Sequence, residues 1–152
     1  MVVAKFGLHN IGFTLSAQRF LRKDSQSMTE NELSYKIIGL ALDIHKTLGP
    51  GLLESVYETA LVHDLIENGF NVKSQCALPF YYKEIKMDAG FRIDLLVEEK
   101  ILVEIKSVEL LAPVHFAQTL TYLKLSGLKL GLLINFNVKT LKEGIHRIVN
   151  NL

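Results

Sequence analysis

Among 152 residues there is one cysteine, Cys76, so no internal disulfide forms, and without a Cys-x-x-Cys or a Cys/His cluster a structural zinc site is excluded. A reducing, cytoplasmic setting is expected from that scarcity. No apolar run approaches the roughly 18 residues of a membrane span, so no membrane contact is expected. Charge of one sign is also lacking. The net charge is +1, of which residues 1–27 carry +3 (Lys5, Arg19, Arg22 and Lys23 against Asp24), leaving −2 for the rest. Long-range attraction for polyanions is therefore weak, and any phosphate binding must rest on a local patch or on metal ions. There is no internal repeat, low-complexity tract or linker.

What is present is a chain of one-domain length, 49% hydrophobic, enough for a single core. Residues 1–27 read as a poorly ordered N-terminal extension and 28–152 as the folded domain. In the extension the positive charges follow the apolar stretch, the reverse of a signal peptide, while a transit peptide stays open as an alternative.

Thr29 and Glu32 form a capping box, and Leu33, Ile37, Ile38, Leu40, Ala41 and Ile44 recur at helical spacing until Gly49-Pro50-Gly51. A second helix from Leu52 or Leu53 carries Val56, Tyr57, Ala60, Leu61 and Leu65 inward and stops at Asn68-Gly69. Strands are expected at Phe70–Leu78, Phe80–Met87, Phe91–Val97 and Ile101–Ser107, an antiparallel meander broken at Pro79 and Asp88-Ala89-Gly90. Ala112-Pro113 opens a third helix to Leu125, Leu128–Phe136 is a buried strand, and a last helix is expected over Val138–Val149. That order implies an α/β sandwich with a central mixed sheet flanked by helices.

The most informative stretch is the hairpin Phe91–Lys106. Period-two alternation puts Leu102, Glu104 and Lys106 on one face of the second strand, and Ile101, Val103 and Ile105 on the other. With a three-residue loop, Glu98-Glu99-Lys100, Asp94 lies directly across from Glu104. Two facing carboxylates in an apolar hairpin repel, one is pushed to protonate, and a bound divalent cation is the simplest remedy.

Asp94 followed by Glu104-Ile105-Lys106 resembles the core signature of the PD-(D/E)xK nuclease superfamily. Two carboxylates suit a hard cation, and a lysine positions or activates water. As a bare pattern, Glu-x-Lys is also common on the polar side of any strand. Gln118 and Tyr122, four apart on one helical stripe with His115, resemble the Gln-x-x-x-Tyr element of the exonuclease-like branch, and equally suit a half-exposed helical face. Gly51, Glu54 and Tyr57 resemble the motif for which the GxxExxY proteins are named, with likeness running from about Asn31 to Leu152.

The resemblance implies a restriction-endonuclease-like sandwich and a metal-dependent nuclease hydrolysing phosphodiester bonds, DNA ahead of RNA. Mg²⁺ or Mn²⁺ would be held by Glu54, Asp94, Glu104 and the Ile105 carbonyl. Lys106 would orient water and stabilise charge, and Gln118 and Tyr122 would position the phosphate or Lys106. The partner is then nucleic acid, with a second copy of the chain, as a homodimer, for cutting both strands. The bland readings are a dipole-favoured glutamate for Glu54, a packing role for Tyr57, and a helix-end histidine for His45, which could otherwise reach the cleft. The alternative function is a non-catalytic binding or assembly module that keeps the nuclease fold.

Overall fold

The computed structural model describes residues 15–152 of the chain. Where an extension of little order was expected over 1–27, its described part, Leu15–Ser27, is an α-helix, α1. Positions 1–14 lie outside the described residues. The end of α1 is tied to the sheet by Lys100, whose ammonium donates to the carbonyls of Gln26 at 2.8 Å and Met28 at 2.9 Å.

The capping box forms as expected: Glu32 N–H donates to Thr29 Oγ1 at 3.3 Å, and Thr29 N–H to Glu32 Oε2 at 2.9 Å. It starts α2, Glu30–Leu48, which turns through Gly49 and Gly51, both at positive φ, into α3, Glu54–Glu67. A five-stranded mixed sheet follows, in spatial order β1-β2-β3-β4-β5. The strands are β1 (Val72–Tyr82), β2 (Ile85–Val97), β3 (Ile101–Lys106), β4 (Leu130–Asn135) and β5 (Ile145–Val149). β3 and β4 run parallel, as the crossover helix α4, Pro113–Ser126, requires, and the other neighbours are antiparallel. The expected α/β sandwich is present. Among the described residues no helix is long and apolar enough to cross a membrane.

Two expectations fail. The last helix over Val138–Val149 is one turn, α5 (Leu141–Gly144), followed by β5. The spacing of Leu141, Ile145 and Ile148 imitates a helix, but β5 pairs with β4 from Ile134↔Ile145 to Leu130↔Val149 and so satisfies backbone groups that β4 would leave bare. Secondly, the stretches before and after Phe80 are not separate strands. β1 runs through Pro79 to a two-residue turn at Lys83-Glu84, both left-handed (φ 47° and 65°), the mirror-image turn that suits strand twist. The expected breaks survive as a bulge: Leu78 pairs Phe91 and Phe80 pairs Met87, so Pro79 alone faces Asp88-Ala89-Gly90.

The core has two parts. Leu95, Val97, Ile101, Val103, Ile105, Leu132 and Ile134 face α2, α3 and α5, while Ile93, Leu102, Tyr122 and Leu123 form a smaller cluster with Cys76, Leu78 and Phe91 on the α4 side. Ile93 and Leu95 are two apart on one strand, yet serve opposite faces, and so do Val72 and Cys76 of β1. The ribbon of β1 and β2 therefore changes face between these pairs, at Gln75, whose backbone is left-handed (φ 53°), and the facing Asp94.

Candidate active site

The three-residue loop holds. Val97 pairs Ile101 and Leu95 pairs Val103, which brings Asp94 opposite Glu104 one step beyond the last paired residues. Glu98 and Glu99 take left-handed backbones (φ 51° and 54°), and Glu98 is held there because its N–H donates to Asn71 O and its carboxylate accepts from Asn71 N–H at 2.7 Å. Past Leu95 the strands are bridged by side chains instead of a ladder. Asp94 Oδ2 accepts from Ile105 N–H at 2.9 Å, and Glu104 Oε1 accepts from Asp94 N–H at 3.4 Å.

Glu104 is buried, 3% exposed, and its carboxyl is pushed up to about 8, first by burial and then by the charge of Asp94. The charge of Lys106, two residues along the same strand, acts in the opposite direction. Burial and the neighbouring charge thus hold Glu104 toward its protonated form.

The N-terminal end of α3 is latched to the exit of β3. Ser107 N–H donates to Glu54 Oε1 at 3.2 Å, and Ser107 Oγ to Leu52 O at 2.6 Å. Tyr57 is fully buried, stacks on Phe136 with centroids 4.3 Å apart, donates to Gly49 O at 2.6 Å and accepts from Leu52 N–H at 3.1 Å. Its role is to shape the Gly49–Leu52 corner, and the packing role expected of it is realised against Phe136. His45 is engaged by a backbone carbonyl: its Nε2–H donates to Val138 O at 2.8 Å.

On α4, Gln118 Nε2 donates to Tyr122 Oη at 2.9 Å. Tyr122 is buried, edge-on to Phe91, so only Gln118 of the pair is exposed. His115, expected on the same stripe, accepts from Ala112 N–H at 3.0 Å and caps the helix. Among the described residues no hydrogen bond joins Gln118 or Tyr122 to Lys106.

Sequence reasoning missed four residues. Ser107 joins α3 to β3. Asn135, 2% exposed and level with Lys106 in the parallel ladder, accepts from Val108 N–H at 3.0 Å and donates to Val108 O at 2.9 Å, fixing the chain that leaves β3. A polar residue ending a wholly apolar strand was the available signal. Glu58 and Gln75 approach Asp94 from α3 and β1; for Glu58 the signal was its position four residues beyond Glu54, on the same helical face.

The donor set suits a hard divalent cation, since Asp94 and Glu104 offer only oxygen and repel one another when both are charged. It is not a finished cage: among the described residues no group of three or more His, Cys, Asp or Glu side chains converges on one point for an ion. Glu54 contributes to the Ser107 latch, and the Ile105 N–H is committed to Asp94.

Against known proteins, a family model described as the PD-(D/E)XK nuclease superfamily matches residues 31–148. No curated protein and no solved structure matches the chain.

Proposed function

The chain belongs to the PD-(D/E)XK nuclease superfamily, and from that membership we propose that it hydrolyses phosphodiester bonds in nucleic acid, DNA ahead of RNA, with Mg²⁺ or Mn²⁺. The observation that carries the proposal is the Asp94–Glu104 pair with Lys106 following on the same strand. A buried acid set against a half-buried, like-charged one is costly in a fold that has no use for the pair. The ion, when bound, supplies charge neutralisation and a nucleophilic water at neutral pH.

Asp94, Glu104 and the Ile105 carbonyl would hold it, with an acid from α3. Lys106 would orient the attacking water and stabilise charge growing on the phosphoryl oxygens. Gln118, exposed and tethered to Tyr122, would contact the backbone of the substrate. The finer membership in the GxxExxY proteins is supported by Gly51, Glu54 and Tyr57, whose latch and corner shape the cleft wall. A cytoplasmic setting and a homodimer for cutting both strands belong to the same proposal.

One observation favours the rival, a non-catalytic binding module: among the described residues no three His, Cys, Asp or Glu side chains form a ready-made cation site. The test is incubation of the protein with single- and double-stranded DNA and RNA in Mg²⁺ or Mn²⁺. Cleavage abolished in Asp94→Asn and Lys106→Ala is expected; cleavage unchanged in both variants would refute the assignment.

A further inference from the structure

Gln75 occupies an unusual place. Its amide nitrogen lies 3.0 Å from Glu58 Oε1, 2.9 Å from Glu58 Oε2 and 3.5 Å from Asp94 Oδ1. Three carboxylate oxygens, from two acids on different elements, therefore surround one nitrogen. A primary amide has two N–H donors and only partial positive charge, so it cannot fully serve three anionic oxygens. What the two carboxylates together favour at that point is a full positive charge. Gln75 reaches the spot from a left-handed backbone (φ 53°), a conformation that is costly for a residue with a Cβ and that faces Asp94 across the ribbon.

Glu54 is differently placed. Its Oε1 accepts the Ser107 N–H, so it serves the latch between α3 and β3. Glu58, one turn further along α3, shares its donor with Asp94 itself. The other oxygen of Asp94 is held by Ile105 N–H, which leaves Oδ1, the one beside Gln75, for a shared ligand.

We infer that Glu58, and not Glu54, is the helix acid that joins Asp94 in holding the divalent ion, and that the Gln75 amide keeps its place until the ion enters. This rests on the metal-dependent reading of the same site. Gln75 is then a positioning residue: it holds two like charges together in the metal-free protein and competes with the cation for them. Release of the amide couples ion binding to a movement of β1 against α3.

Calorimetric titration of Mn²⁺ into the full-length protein separates the possibilities, with the metal-free melting temperature of every variant recorded beside it. Glu58→Gln is expected to weaken Mn²⁺ binding by at least about 10- to 100-fold, the range for losing even a group that only orients a ligand, while Glu54→Gln binds near the wild-type value. Gln75→Ala is expected to lower the metal-free melting temperature and yet tighten Mn²⁺ binding; a purely structural glutamine would lower the first without tightening the second. Binding that survives Glu58→Gln but is lost in Asp94→Asn overturns the assignment and leaves the hydrolase reading standing. Absence of Mn²⁺ binding to the wild-type protein overturns both.

Discussion

Asp94 and Glu104 exchange contacts crosswise, Oδ2 of Asp94 accepting from the residue after Glu104 and Oε1 of Glu104 accepting from the N–H of Asp94. Each acid therefore replaces a rung of the ladder that stops at Leu95↔Val103. The bond from the Asp94 N–H favours the ionised form of Glu104, but burial and the Asp94 charge outweigh it.

A pH dependence follows. With the Glu104 carboxyl raised from 4.5 to about 8 in the fold, the folded chain keeps a proton that the unfolded chain has lost. Stability from this group is full below the unfolded value and is lost as pH rises through the folded one, by at most about 1.4 kcal/mol per unit. In EDTA the melting temperature should fall between pH 5 and 8, and Glu104→Gln should flatten that slope. Mn²⁺ affinity should rise over the same interval, because binding expels the proton.

Tyr57→Phe keeps the stack on Phe136 and removes only the hydroxyl between Gly49 O and Leu52 N–H. Loss of about 1–3 kcal/mol is expected. Urea unfolding should show a lower midpoint at an unchanged slope.

Asn135→Ala strips the N–H and carbonyl of Val108 of their partners. A cost of about 1–3 kcal/mol for each group left buried and unpaired is expected. Because Asn135 lies level with Lys106, turnover should fall further than in Tyr57→Phe at matched fractions folded, measured on whichever nucleic acid is cleaved.

Two glycines should respond oppositely to alanine. At Gly144 a Cβ would lie 2.2 Å from Asn135 O, so Gly144→Ala should destabilise by about 1–3 kcal/mol or more. At Gly39, exposed within α2 with nothing within 4 Å, Gly39→Ala should stabilise by about 0.4–1 kcal/mol. Guanidinium midpoints of the two variants measure both.

The sequence made legible what local rules determine. The capping box, the glycine corner after α2, the buried β4 and the loop that sets Asp94 across from Glu104 all follow from spacing and residue type. What escaped depends on distant partners. β5 exists because β4 has an edge to cover, and no local pattern at Ile145–Val149 records that. The turn at Lys83-Glu84 carries no glycine or asparagine, so its left-handed backbone had no residue signal. Strict alternation along β2 would place Ile93 with Leu95, and the change of face defeats it. Of the expected site, Asp94 and Glu104 meet, Gln118 and Tyr122 bond each other, and Glu54 turns to Ser107.

The change of face has a mechanical side. Below Gln75 and Asp94 the hairpin is anchored in the large core under α2 and α3; above them it leans on the small cluster under α4. Asp94 thus sits at the fulcrum of a lever whose long arm ends at the exposed Tyr81, Tyr82 and Ile85. The first residue past the last rung between β2 and β3 is thus also the point where the hairpin passes from one anchorage to the other.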